Sequence, residues 1–447
     1  MRFYVMAASA ALITASTIPA THAASDEDIA AIRQEILQMK QAYESRIAEL
    51  EAKLSAVEAE KPQKPALTAE KEAGRNIYDN RFNPSIGVIL NGKLSSYSSA
   101  DSEIAGFGVG EEGERSREGF AIDESELNFS ASIDDKFAGS LTAAIVREEG
   151  EDKVELEEAY VQTLPGMGLP AGTSLKAGRA FWTLGYLNEH HTHADDFADR
   201  PLPYRVFLNN AYNDDGIEAT YVLPTPFYAE VGGGVFRGDD FPFGEADGEG
   251  IAAWSAFART GGDIGDNQNW RIGAYVLKGE AKGGRVSNED AVSFVGDSTL
   301  YAADIRYTWA PTGNPRQQEV ILQGEYFHRS EDGTYEDTEA ATGLVPFDDN
   351  ASGWYTQAVY KFHPQWRAGA RYSLLEAASA PLALSGSILD AEGHNPEAIA
   401  VMTDWTNSEF SRIRLQYNYE ELSRNLEDNQ FILQYVMSIG AHGAHKY

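Results

Sequence analysis

The chain has no cysteine in its 447 residues. That excludes disulfide scaffolds and every thiolate metal site. A protein exported without disulfides must draw its stability from elsewhere, and a closed barrel in lipid is one solution. Positive charge is scarce as well. The 36 Lys and Arg face 69 Asp and Glu, a formal net charge of −33. Nucleic acid is thereby excluded as a partner, because phosphate contacts need clustered cations. Long apolar runs are missing too. Beyond the N-terminal segment none approaches the roughly 20 residues of a membrane-spanning helix. No histidine falls in strand phase beside a serine nucleophile, so no hydrolytic set, and no enzyme, is expected.

What is present divides the chain into four parts. Residues 1–23 read as a secretory leader: Arg2, an apolar and small stretch over 5–18, and small residues at Thr21 and Ala23 where a peptidase reads. Residues 24–61 read as a periplasmic helix. Ile29, Ile36, Tyr43, Leu50 and Val57 recur every seven residues, with Ile32 and Met39 giving a second seam that slips to Ile47 and Leu54. Such a heptad stripe needs partner helices, so a short coiled coil and a homotrimer are expected. A lone amphipathic helix is the plainer alternative. Residues 62–83, with Pro62 and Pro65, read as a linker.

From residue 84 to 447 the period changes to two. Tyr301, Ala303, Ile305, Tyr307 and Trp309 alternate with Ala302, Asp304, Arg306 and Thr308. Ile413, Leu415, Tyr417 and Tyr419 alternate with Arg412, Arg414, Gln416 and Asn418. Leu127, Phe129, Ala131 and Ile133 alternate with Glu126, Asn128, Ser130 and Ser132. Aromatics gather at strand ends, as in interfacial girdles. About sixteen such segments begin near residues 84, 118, 137, 153, 173, 214, 227, 250, 269, 299, 317, 353, 366, 397, 410 and 428. Tight connections at 134–136, 224–226, 363–365 and 407–409 alternate with long polar ones around 98–117, 183–213, 280–298, 329–352 and 376–396. The pattern predicts an all-β fold: a transmembrane antiparallel β-barrel of about sixteen strands, preceded by a short N-terminal coiled-coil helix, in the bacterial outer membrane. Sixteen strands leave an open lumen, and a water-filled channel is the expected result.

Three stretches carry a resemblance. They are Phe120-Ala-Ile-Asp-Glu-Ser-Glu-Leu-Asn-Phe-Ser-Ala131, Lys176-Ala-Gly-Arg179, and Leu187-Asn-Glu-His-His-Thr-His193 with Asp195, Asp196, Asp199 and Arg200-Pro-Leu-Pro203. With the ending His442-Gly-Ala-His-Lys-Tyr447, they resemble a family of proteobacterial zinc-regulated outer-membrane porins, distantly similar to phosphate-selective porins. Some members carry the label zinc-regulated TonB-dependent outer-membrane receptor. The resemblance implies a porin passing small hydrophilic solutes or ions, with divalent zinc as the specific cargo. An energised receptor for a metal or metal chelate is the alternative reading. Receptors of that kind need a plug domain and about 22 strands, whereas only about sixty residues separate the leader from the first strand. A third reading is a structural tether that grips the cell wall through the helix of residues 24–61.

Within this frame the segment 183–213 is the richest in chemistry. Glu189, His190, His191, His193, Asp195, Asp196 and Asp199 supply imidazole and carboxylate, the donors zinc takes in the absence of thiolate. A transient zinc site and a plain polar constriction loop are both open here; no resident cofactor is required. Strand phase sends Arg306, Arg367, Arg371, Arg412 and Arg414 into the lumen. There they either set a transverse field against an acidic loop or pair with wall carboxylates such as Glu325 and Asp304. His442 and His445 offer a weak second metal site or are simply tail residues. Acidic pairs such as Asp239-Asp240 and Glu331-Asp332 read as outer surface able to bridge lipopolysaccharide through divalent ions.

Overall fold

A computed structural model describes residues 84–440 apart from 149–150, 166 and 245–249. The leader, the coiled-coil helix, the linker and the tail histidines His442 and His445 lie outside the described residues. Seventeen strand segments follow one another around a single ring: β1 (Ser85–Tyr97), β2 (Gly119–Ile122), β3 (Ser125–Ser132), β4 (Phe137–Glu148), β5 (Glu151–Thr163), β6 (Thr173–Phe181), β7 (Asn213–Val222), β8 (Tyr228–Phe236) and β9 (Ala253–Asp263); then β10 (Gln268–Ser287), β11 (Val292–Trp309), β12 (Glu319–Asp337), β13 (Val345–His363), β14 (Trp366–Glu376), β15 (Glu397–Ser408), β16 (Ser411–Ser423) and β17 (Leu426–Gly440). Apart from β2 and β3, each pairs antiparallel with its neighbours in sequence, and β1 closes the ring on β17 from Gly87↔Gly440 to Tyr97↔Gln430. β2 and β3 share one partner, pairing with the two ends of β1. They are one strand interrupted at Asp123-Glu124, so the barrel has sixteen staves. Closure removes every sheet edge, the condition for a sheet to stand in hydrocarbon.

The period-two pattern sorts as expected. Ile305, Leu415, Ile399 and Phe431 face outward and are about half exposed, whereas Asp304, Arg414, Gln416 and Asn418 are buried inside. Aromatics ring both margins of the apolar band. Trp354 packs on Tyr372 and Tyr417 on Phe431 at one margin, and Tyr360 packs on Phe362 near the other. From Tyr301 to Trp309 the outward face of β11 covers eight steps of about 3.3 Å along a tilted strand, close to the thickness of an outer-membrane band.

The alternation is interrupted at two places on this side of the ring. Phe120 and Ile122 face outward before Asp123-Glu124, and Leu127 and Phe129 after it, so the phase changes by one residue at the break. In β5 the register steps from Thr142↔Glu158 to Ala143↔Leu156 and leaves Glu157 opposite no partner. Each is a bulge-type insertion, which turns consecutive residues to the same side.

Two expected loops are corrected. Residues 280–298 and 329–352 are mostly paired strand: β10 and β11 run to a turn at 288–291, and β12 and β13 to one at 338–344. Asn288, Glu289 and Asp290 all take positive φ in the first turn. Above the membrane the polarity of the wall reverses. Ala281, Val292, Phe294, Tyr335 and Val345 are buried inside against Leu384 and Leu389 of the 377–396 connection, and water meets the outer face. Glu331 is likewise no surface residue; it is 4 % exposed and pairs with Arg285 at 2.5 Å.

An Ile305→Arg variant places a charge near the middle of the lipid-facing band. We expect it to lower stability by about 2–4 kcal/mol, read from denaturant unfolding of the protein in lipid vesicles. A loss under 1 kcal/mol contradicts the assignment of faces.

Candidate functional site

The connection between β6 and β7 turns into the barrel. It contains too much apolar side chain to lie on an outer surface. Trp182, Leu184, Leu187, Leu202, Tyr204, Val206, Phe207, Leu208 and Tyr212 are buried, and they join Phe236, Phe257, Tyr275, Leu277, Leu300, Phe327, Tyr355 and Leu375 of the wall in one cluster. Phe207 stacks on Phe327, and Tyr204 meets Phe327 edge-on. A single helix, α1 (Leu202–Leu208), sits in this cluster and ends at Asn209 in the left-handed conformation.

The rest of the connection reaches the wall in three places. First, Tyr186 to Glu189 lie against β9–β12. Glu325 accepts hydrogen bonds from the backbone N–H of Tyr186 at 2.9 Å and Leu187 at 3.2 Å, and from the hydroxyls of Tyr204 at 2.9 Å and Tyr355 at 2.6 Å. Gly185 precedes this point with φ +79°, and a Cβ there would stand 2.3 Å from the Glu325 carboxylate. Glu189 pairs with Arg259 at 2.7 Å and Arg271 at 3.1 Å. Burial opposes ionisation of Glu189, but the two guanidinium groups outweigh it and hold its carboxyl below the usual range.

Second, Asp195 to Arg200 lie against β13–β16. Asp196 pairs with Arg367 at 2.5 Å, and Arg367 also pairs with Asp404 at 2.6 Å. Asp199 takes Arg371 at 2.8 Å, Gln416 at 2.5 Å and Asn418 at 2.8 Å. Arg414 holds Asp404 at 2.8 Å and the Asp195 carbonyl at 2.7 Å. Arg200 pairs with Asp195 at 2.7 Å inside the loop. Burial raises the carboxyls of Asp196 and Asp199, yet Arg367 and Arg371 respectively bring both below the usual range, so both stay charged.

Third, Thr192 and its two flanking histidines lie against β3 and β5. His193 Nδ1 stands 2.6 Å from Glu126 Oε1, and His191 Nδ1 stands 3.3 Å from the same oxygen and 3.5 Å from Glu157 Oε2. His191 Nε2 is 3.2 Å from Glu158. Thr192 donates to Glu124. The two bulges explain the density of carboxylate here. The break at Asp123-Glu124 and the unpaired Glu157 turn neighbouring acids to the same side.

The residues singled out in the sequence therefore separate. Of Glu189, His190, His191, His193, Asp195, Asp196 and Asp199, only His191 and His193 come together. Glu189, Asp195, Asp196 and Asp199 each serve an arginine. His190 turns back to the Tyr186 carbonyl at 2.8 Å and stacks on that ring, and burial drops its imidazole to about 4. The arginines do line the lumen, but as anchors and not as one half of an open field. Arg306 lies over the Tyr186 ring and bonds Gln323, and Arg412 donates to the His193 carbonyl at 2.5 Å. Glu325 and Asp304, expected as their partners, serve tyrosines and Arg271 instead. Glu124, Glu157 and Glu158 are the functional candidates the sequence reading missed. The signal available was the acidic doublets 123–124 and 157–158, which interrupt a strict alternation.

Beside the loop remains a cavity of about 760 Å³ bounded by β1, β2, β4–β7, β16 and β17, the 98–118 connection and Asp240. Eleven carboxylates and six Lys or Arg line it, and Glu124, Glu157 and Thr192 border it.

No protein-family model matches the chain. A protein of Aquifex aeolicus described as uncharacterized is 30% identical over 397 residues, covering 82% of this chain and 80% of its own. Among solved structures, the barrel is similar to the outer membrane channel DcaP of Acinetobacter baumannii, with TM-score 0.52 and 12% identity over 84% of this chain and 100% of that one. It is also similar to an anion-selective porin from Comamonas acidovorans, with TM-score 0.51 and 10% identity over 80% and 99%. At such identities the likeness is one of fold.

Changing Arg367 and Arg371 together to Ala leaves Asp196 and Asp199 without their arginines in the lumen, while Asp404 keeps Arg414. Breaking one buried pair costs about 3–5 kcal/mol, so the 195–200 segment is expected to leave the wall. Proteinase K applied to the folded barrel in detergent should then cut between residues 191 and 201 in the variant and not in the parent. Equal protection of both refutes the anchoring role.

Proposed function

The chain belongs to one family with the uncharacterized protein of Aquifex aeolicus, and we propose that it is an outer-membrane porin that passes small hydrophilic solutes and ions by diffusion through a lumen narrowed by the 182–212 connection. The observation that carries this reading is the inside of the barrel. A sixteen-stave ring with an apolar exterior encloses a charged space of about 760 Å³. A ring of that size is the one associated with an aqueous lumen. The apolar band and closed ring place the chain in the bacterial outer membrane. A plugged receptor calls for about 22 strands, and the ring closes at sixteen.

The excess of carboxylate over Lys and Arg around the cavity favours cations. A single charge sign on a low-dielectric wall concentrates counter-ions and speeds their arrival. The Comamonas protein is described as anion-selective, so the shared fold leaves selectivity to the side chains. Divalent zinc as one of the permeating ions is the finer form of this proposal. It rests on the sequence resemblance and on the acidic cavity. A homotrimer belongs to the proposal as well, and its support is the heptad seam of residues 24–61. Contact with lipopolysaccharide through bridging divalent ions, and a cell-wall contact through that helix, complete it.

Planar-bilayer recordings of the purified protein test the channel. Stable open steps are expected, with a reversal potential in a salt gradient that reports cation preference. Neutralising Glu111, Glu114 and Asp240, which line the cavity (E111Q/E114Q/D240N), should move that preference toward unity without abolishing the steps. Absence of steps from correctly folded protein overturns the porin reading.

A further inference from the structure

Four carboxylates of the inward loop each have an arginine: Glu189, Asp195, Asp196 and Asp199. The third contact with the wall breaks that rule. The partners of Glu126 there are two imidazoles. Glu157 and Glu126 are 8 % and 2 % exposed. Among the described residues neither oxygen of Glu157 accepts a hydrogen bond, nor does Oε2 of Glu126, and Nδ1 of the buried His191 approaches Glu126 and Glu157 as an ion pair without hydrogen-bond geometry to either. Buried polar atoms are rarely left so, because each lost partner costs free energy. Here the orphaned atoms converge on one another. Donor atoms of Glu126, His191 and His193 all lie within 4.8 Å, as do those of Glu124, Glu126 and Glu157.

We propose that Glu126, Glu157, His191 and His193 form a binding site for one divalent transition-metal ion, which clips the inward loop to β3 and β5. The donor chemistry is that of zinc-class ions, with nitrogen and carboxylate oxygen and no thiolate. Metal–donor bonds of about 2.0–2.2 Å put tetrahedral donors about 3.3 Å apart. The distances from His191 Nδ1 to Glu126 and Glu157 are 3.3 and 3.5 Å. His193 and Glu126 would separate by less than an ångström from their present 2.6 Å. The surroundings are those of a metal centre. The other nitrogen of His191 faces Glu158 at 3.2 Å, a carboxylate placed to hold the imidazole with Nδ1 free for the ion. Arg412 fixes the His193 carbonyl, and Thr192 is tied to Glu124. An ion can reach the cluster, because Glu124, Glu157 and Thr192 border the acidic cavity. A divalent charge compensates carboxylates that no guanidinium serves.

The site does not depend on what the channel carries. It is a resident clip, opposite the arginine anchors on β13–β16, and it completes the attachment of the loop across the lumen. His190, although adjacent in sequence, takes no part.

The test uses the full-length folded protein in detergent, stripped with chelator and titrated with Co2+ and then Zn2+. One ion per chain is expected, with the intense visible ligand-field bands of low-coordinate Co2+ that Zn2+ abolishes. His190→Ala should bind as the parent does. His191→Ala/His193→Ala should lose the bands and at least tenfold in affinity. Glu158→Gln should weaken binding about ten- to hundred-fold while keeping the bands. If the double variant fails to fold, as read from heat-modifiable migration, the near-isosteric Glu157→Gln serves and should also lose affinity. No stoichiometric ion in the parent, or binding unchanged in the folded variants, overturns the site. Bilayer steps are scored separately: metal bound without steps sinks the porin reading alone, and steps without metal sink the site alone.

Discussion

A backbone that leaves the wall and crosses the inside of a barrel forfeits the ladder that satisfied its N–H and C=O groups. Much else in this molecule answers that constraint. Glu325 receives two consecutive amides of the loop. Arg371, Arg412 and Arg414 reach in from β14 and β16 to take the carbonyls of Asp199, His193 and Asp195. Asn188 closes the loop on itself through the Trp182 and Tyr212 carbonyls. The charged lumen is thus in large part a scaffold. The guanidinium groups of β9, β10, β14 and β16 are committed to holding a chain segment, and the charge left for solutes is in net the acidic side beside β4 and β5.

That asymmetry follows from backbone irregularity more than from composition. A regular strand can offer one inward residue in two. The break at Asp123-Glu124 and the insertion at Glu157 let a short stretch offer consecutive ones, so four glutamates gather where regular pairing would place fewer. Bulges are known to re-aim side chains near functional sites, and here two of them face each other across β4.

Much of the fold was legible because lipid is an unforgiving solvent. Within the band, each outward residue must be apolar, and the period-two signal located the strand starts to within a few residues across most of the ring. It failed above the band. Along 280–298 and 329–352 water is outside and Phe294, Tyr335 and Leu389 are inside, so the sense of the alternation inverts and reads as loop. The site was legible only in part. The inward loop, the lumen-facing arginines and the inward face of Glu126 could be read from phase. Which acid meets which cation could not, because those pairings join residues as far apart as Asp199 and Arg371 or His193 and Glu126. Sequence proximity grouped His190 with His191 and His193, whereas the backbone between them turns the first ring the opposite way.

Closure of β1 on β17 has a kinetic side. Ser98 bonds to Asp428 across 330 residues of chain, and Asn91 to Gln434 across 343. The outer margins of β1 and β17 have no partner until the last strand has been exported, so the seam is the final contact when strands pair in chain order. Contacts of such sequence separation form slowly, and until they form two unpaired strand margins are open to any neighbouring chain. The barrel therefore has no stable half-built form in the membrane. A chain truncated before β17 loses the ring and not merely one stave.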